Sequence, residues 1–132
     1  MNLFDKTYEL LEKKLDLAAK RHVLLSSNVA NSETPNFRAR ELDFAGELQK
    51  VIGSETDPLV KTNPQHMDLS SAEHAHVVLD NSGEMGADGN NVDLDVQMGK
   101  LMTNARSYGG TVDILSNKFR LLRMVVGPRG GA

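Results

Sequence analysis

A chain of 132 residues with no cysteine, no tryptophan and a net charge of −3 has room for one domain with a thin core. This composition rules out disulfides and thiolate metal sites and argues against a nucleic-acid binder. The charge is uneven: twelve acids face two bases between Glu41 and Asp95, and one acid faces six bases from Val96 onward. A solvated acidic middle beside a basic tail is therefore expected. No apolar run approaches the roughly 20 residues that span a bilayer, and the opening Met-Asn-Leu-Phe-Asp-Lys lacks the uncharged core of a secretory signal. Read alone, that suggests the cytoplasm.

Residues 1–35 form the first unit. Phe4, Tyr8, Leu11, Leu15, Ala18, His22, Leu25 and Val29 alternate by four and three positions, the spacing of a helix packed lengthwise on another helix. Leu3, Leu10, Leu17 and Leu24 widen the stripe beyond what one partner helix covers. Asn2 can cap the first turn, with Asp5 in the capping-box position. His22 is expected to be a partly buried packing residue with one hydrogen bond. The helix stops near Asn31, because Pro35 holds Thr34 extended and Asn-Ser-Glu-Thr-Pro-Asn is turn chemistry.

Residues 36–91 form an acidic insert. Between 41 and 52, Leu42, Ala45, Leu48, Val51 and Ile52 share one side of a short amphipathic helix ending at Gly53. From Ser54 to Asn91 the pattern weakens to a loop or small β insert. Val77-Val78-Leu79 reads as a strand, and the turns Asn81-Ser82-Gly83 and Asp88-Gly89-Asn90 are suited to closing a small hairpin.

Residues 92–132 form the last unit. Leu94, Met98, Leu101, Ala105, Tyr108, Val112, Leu115, Phe119, Leu122 and Val126 repeat the four-three alternation without a polar interruption. At about 1.5 Å per residue this helix is roughly 50 Å long, whereas a compact domain of this size has a radius of gyration near 14 Å. Asn91 or Asp93 caps it, and Lys118, Arg120 and Arg123 suit its negative end. Gly109-Gly110 marks a kink or a close helix contact. The tail from Gly127 should fray. The expected fold is mainly α: long terminal helices paired as an antiparallel coiled coil, with a short helix and a small irregular or β insert between them.

The residues offer little chemistry. His66, His74 and His76 lack the spacing of a zinc site. Counting Asp88 as the first ligand of a calcium loop puts Asp93, not glycine, at the sixth position. There is no phosphate loop, no nucleophile elbow and no paired nucleophile and base. No catalytic residue, metal or cofactor is predicted.

The stretch Asn28-Val29-Ala30-Asn31-Ser32-Glu33-Thr34-Pro35-Asn36-Phe37, following a long heptad helix, resembles the N-x-A-N-x-x-T-P-G-Y signature of the bacterial flagellar axial proteins, which build the rod, hook and hook-associated segments. Its signature residues here are Asn28, Ala30, Asn31, Thr34, Pro35, Asn36 and Phe37. Asn36 stands for the customary Gly and Phe37 for the customary Tyr; Asn is the next-best residue at positive φ. The short length, the Gly89-to-Asp95 approach to the last helix and Phe37-Arg38-Ala39-Arg40-Glu41-Leu42-Asp43-Phe44 look like a proximal rod subunit.

The resemblance implies a structural rod subunit in the periplasm that transmits torque from motor to hook. It also implies export as an unfolded chain through the flagellar type III apparatus, without a cleaved signal. Expected partners are further copies of the chain, the companion rod subunit FlgC, the base adaptor FliE and, in transit, the export gate, for which Phe44 and Leu48 match a Phe-x-x-x-apolar motif. Subunit packing is expected from Leu11, Leu15, Leu25, Leu94, Met98, Leu101, Tyr108, Val112, Leu115, Phe119 and Leu122. The apolar stripes exceed what one antiparallel pair covers, so sister molecules should complete the burial through an open head-to-tail contact that builds a helical tube. The alternative is a cytoplasmic coiled-coil adaptor or regulator that binds a partner helix.

Overall fold

The computed structural model describes residues 3–53 and 76–126, with side chains at 7–50 and 76–126. The expectations resting on Asn2, Asp5, the Leu3 and Phe4 side chains, Val51, Ile52, His66, His74 and the tail from Gly127 lie outside the described residues or side chains. Among the described residues, three helices and two short strands run in the order α1 (Leu3–Ala30), β1 (Arg40–Leu42), α2 (Phe44–Gly53), β2 (Val77–Leu79) and α3 (Leu94–Val126).

The long helices lie antiparallel. Asn28 bonds to Gln97, Asn104 to the carbonyl of Ala18, and the Tyr8 and Phe119 rings stack at 5.2 Å, so rising numbers on one helix meet falling numbers on the other. α1 also packs against β1 and α2, whereas among the described residues α3 packs mainly against α1, with Lys100 reaching Glu41 on β1. That asymmetry decides which side chains find cover.

β1 and β2 form a two-stranded antiparallel sheet with Glu41 opposite Val78. The partner of β2 is therefore β1, reached across α2, and not a strand folded back over the 81–83 or 88–90 turns as the hairpin reading had it. The physical reason is that the second of those turns is already engaged with the end of α1. Arg40–Leu42 is strand, so α2 begins three residues later than the periodicity suggested; Asp43 Oδ1 accepts the Gly46 N–H at 3.0 Å and caps it. At α3 the cap is Asp93, whose Oδ1 accepts the Val96 N–H at 3.1 Å.

The core sits where α1, β1 and α3 meet: Leu17, Ala18, Leu25, Ala39 and Leu42 are its buried apolar residues. Leu17 is thus covered by its own chain, and Leu10 and Leu24 are half-buried, because β1 and α2 lie against α1. The claim that this second leucine line needs sister subunits is corrected to that extent. His22 is exposed and makes no hydrogen bond among the described residues, because it borders an open groove between α1 and α3 lined by Ala18, Asn104, Ala105 and Tyr108.

The largest correction concerns which way α3 faces. Its buried residues are Gln97, Asn104 and Thr111, seven apart and all polar. Leu101, Leu115 and Leu122 are half-buried beside them, so half of the expected seam is used. The other line is turned outward: Met98, Val112 and Phe119 are exposed, as are Leu94 and Tyr108. One residue is about 100° of rotation on a helix, and a stripe displaced by one residue exchanges an apolar seam for an amide one. Gly109 and Gly110 lie within an unbroken helix, and a Cβ built on either meets nothing within 4 Å. The close helix contact expected there is not made within this chain.

Candidate functional site

The chain has two regions with a definite arrangement of side chains: a polar clasp where the helices meet the strands, and the uncovered face of α3. The clasp begins at Asn28, which is buried. Its Nδ2 donates to the Arg40 carbonyl at 2.8 Å and to Gln97 Oε1 at 3.0 Å, while its Oδ1 accepts the Arg40 N–H at 3.0 Å. One amide thereby pins α1 to both β1 and α3. Gln97 Nε2 passes the chain of bonds on to Asp80 Oδ2 at 2.8 Å.

Charge closes the same junction. Arg21 grips Glu41 with two parallel bonds, Nε at 2.8 Å and Nη2 at 3.0 Å, the fork geometry that suits guanidinium to carboxylate. Lys100 reaches Asp80 at 2.5 Å and Glu41 at 3.3 Å. Burial by itself would push the Asp80 carboxyl up, but hydrogen bonds from Lys100, Gln97 and Ser82 outweigh it and hold the group well below the usual carboxylate range. Glu41 follows the same logic, with burial opposed by the Arg21 hydrogen bond and charge, and is also lowered; Arg21 is raised by its bond to Glu41. Two cations and two anions cancel. The cluster holds elements together and presents no net charge to a ligand.

The signature residues and the Gly89-to-Asp95 stretch, far apart in sequence, are neighbours here. Asn90 Nδ2 shares its two hydrogens among the carbonyls of Asn31, Ser32 and Thr34 at 3.0, 2.9 and 2.9 Å, fixing the turn that follows α1. Asn31 in turn bonds back to the Ser27 carbonyl and accepts from the Thr34 hydroxyl. Asn91 accepts the Ala39 N–H and donates to the Asp80 carbonyl, both at 2.7 Å. Asn36 has φ 60° and donates its N–H to the Asp88 carbonyl at 2.9 Å. Against it lies Gly89 at φ 78°, a left-handed conformation that favours glycine, where a Cβ would stand 2.5 Å from Asn36 Oδ1 and push that side chain aside. Phe37 is half-buried, while Ala30 and Pro35 are exposed.

Of the residues assigned to subunit packing, Leu25 belongs to the chain's own core. Leu11, Leu15, Leu101, Leu115 and Leu122 are half-buried along the helix pair, and Leu94, Met98, Tyr108, Val112 and Phe119 lie open to solvent. They are accompanied by Met102, Ile114, Leu121, Met124, Val125 and Val126, all exposed. Phe44 and Leu48 are half-buried on α2. His76 supplies its N–H to the buried Glu47 carboxylate at 3.2 Å and its carbonyl to the Asp43 N–H. Sequence reasoning missed Gln97, Asn104, Asp80 and the Arg21–Glu41 pair. The available signal was three neutral polar residues spaced by seven along a helix whose other polar positions are largely charged.

The signature residues that close this clasp are those in which the chain resembles the flagellar axial proteins, a class of structural subunits. No family model matches the chain. It is 31% identical to the flagellar basal body rod protein FlgB of Bacillus subtilis over 129 residues, 96% of this chain and 97% of that protein. It is 29% identical to FlgB of Borreliella burgdorferi over 96% of this chain and 99% of that protein, and 29% identical to FlgB of Escherichia coli over 91% and 92%. The chain belongs to the FlgB family and is a structural subunit of the flagellar basal body rod.

Proposed function

We propose that the chain takes its place in the proximal rod in the periplasm, carries torque from motor to hook, and performs no catalysis. Its partners in this reading are further copies of itself, FlgC and FliE, and it leaves the cytoplasm unfolded through the flagellar export gate, with Phe44 and Leu48 as the gate-binding pair. Both are half-buried in the folded chain, so they are fully available only before folding.

The observation that supports this reading is the orientation of α3. Exposed Met98, Met102 and Val112 line one flank of α3 and exposed Ile114 and Leu121 the other, while its buried residues are Gln97, Asn104 and Thr111. At about 25 cal/mol per Å² such surfaces are stabilised by whatever removes them from water, and this much exposed apolar side chain on one helix supports an assembly role. Assembly through it is the reading's core.

Val112→Asp tests it. Val112 is exposed in the single chain, so the variant should melt within about 0.5 kcal/mol of the parent, yet cells carrying it as the sole copy should not swim and their basal bodies should lack the rod. Unchanged swimming overturns the reading.

A further inference from the structure

The chain has no cysteine, so the thioethers of its six methionines are its only sulfur. Peroxides oxidise thiols and thioethers before other side chains, and with no thiol to compete they meet methionine first. Four of the six lie among the residues whose side chains are described, and all four are exposed: Met85 by 56%, Met98 by 42%, Met102 by 68% and Met124 by 66%. What surrounds them tells them apart.

Met85 lies in the segment between β2 and α3, and Met124 in the last turn of α3. Met98 and Met102 are one turn apart on α3, with exposed Leu94 and Val112 on the same flank. That turn is held from its other side. Gln97 bonds to Asn28 and Asp80, and Lys100 bonds to Asp80, Ser82 and Glu41. At about 100° per residue, Lys100 lies about 160° round the helix from both Met98 and Met102. The clasp therefore fixes the rotation of this turn and holds the two thioethers toward solvent. An oxygen atom added to either sulfur takes nothing from the core.

We propose that Met98 and Met102 form a peroxide-sensitive pair that decides whether a folded subunit is fit for assembly. A sulfur lone pair attacks one oxygen of hydrogen peroxide, and an S–O bond forms as the O–O bond breaks. Each sulfur loses two electrons and becomes a sulfoxide; the second peroxide oxygen is reduced and leaves as water with both hydrogens. An adaptable apolar side chain becomes a polar one. A flank that gained by leaving water then loses hydrogen bonds on leaving it. The fold of the single chain stays as it was, and only its surface changes. The inference rests on the rod reading and adds to it a chemical control of the face assigned there to assembly. Contact with a neighbour covers the sulfurs, so the sensitivity belongs to the free subunit.

The first measurement uses the purified full-length chain and hydrogen peroxide, with oxidation of each methionine read by peptide mass spectrometry and the fold by helix content. Met98 and Met102 should convert within about fivefold of the rate of Met85, because susceptibility follows exposure. The converted chain should keep its helix content. Slower conversion of the pair than that, or loss of helix on conversion, overturns the proposal.

The second measurement uses cells with the chain as sole copy and counts rods per cell with and without sublethal hydrogen peroxide. In the parent the count should fall by about threefold or more, and Met85→Leu should fall with it. Met98→Leu with Met102→Leu keeps the flank apolar and removes the oxidisable sulfur, so its fall relative to its own untreated count should be less than half the parent's. Met98→Gln with Met102→Gln makes the flank polar without peroxide; it should match the parent's helix content as purified chain yet build no rods. A leucine double variant as sensitive as the parent, or a glutamine double variant that builds rods in parental number, overturns the proposal. Where the leucine double variant builds too few rods for a ratio, the glutamine double variant and the purified chain decide. Failure here and failure of the rod reading look different. Equal sensitivity of parent and leucine double variant removes the switch and leaves the rod subunit, whereas normal rods in cells lacking the chain remove the rod reading and leave the oxidation of the purified chain standing.

Discussion

The two ends of the helix pair are built by different physics. At the closed end, Asn28, Gln97, Asp80, Asn90 and Asn91 are buried and every one is hydrogen-bonded. At the open end, Tyr8, Leu15, Leu115 and Phe119 line a groove, and the Tyr8 hydroxyl is buried with no hydrogen-bond partner among the described residues. Apolar contact is tolerant of partner and register, whereas a set of amides and carboxylates with fixed donors and acceptors is satisfied in one arrangement. The closed end therefore fixes how the chain meets itself. The open end is left to be finished by something else.

The sharpest way to break this contrast is at Asn28. Asn28→Ala strands the Arg40 N–H and one oxygen of Gln97 in a buried site, and should cost about 3 kcal/mol in denaturant unfolding. If the loss is below about 1 kcal/mol, the clasp is not what holds α1 to α3.

Acid is the next lever. Asp80 and Glu41, and Glu47 through its bond from Lys50, have carboxyls lowered in the folded chain. A lowered carboxyl contributes stability that is complete above the unfolded value near 4 and is lost as pH falls through the folded one. Thermal melting should thus be level near neutral pH and drop below about pH 4. Asp80→Asn should lower stability by about 2 kcal/mol at pH 7 and flatten the acid limb, since its charge no longer depends on pH. An acid limb as steep in Asp80→Asn as in the parent would place the effect elsewhere.

The smallest effect belongs to the open end. Tyr8→Phe removes an unpartnered buried hydroxyl while keeping the ring against Phe119 and under Lys118, 5.5 Å away. It should be neutral or stabilise by up to about 1 kcal/mol, measured by the same unfolding titration. A loss above 1 kcal/mol would mean the hydroxyl is paired in solution.

The helices were legible because their signals are local. The apolar repeat from Leu94 to Val126 coincides with α3 end to end, and Pro35 with its turn residues stops α1 at Ala30. Which side of α3 is buried was not legible from that repeat, because an apolar pattern read alone assigns every polar line to solvent. Gln97 and Asn104 are inward because each has a partner across the fold, Asn28 and Asp80 for the first and the Ala18 carbonyl for the second, while Thr111 satisfies its hydroxyl on the Ser107 carbonyl of its own helix. Those partners lie up to 86 positions away in the chain, beyond the reach of any window of neighbours. The signature residues announced a turn; that Asn90 would bridge three of its carbonyls follows only from the tertiary arrangement.

The separation in sequence of the bonded pairs also orders events in time. Asn28 and Gln97 are 69 positions apart, and Asn104 and Ala18 are 86 apart, so a chain threaded lengthwise through a pore, whichever terminus leads, cannot join them until most of its length has emerged. Until then the long helices lack each other's cover, and helices without tertiary packing are marginal in water. In the export route proposed above, the arrangement of its contacts alone would defer completion of the fold to the far side of the channel.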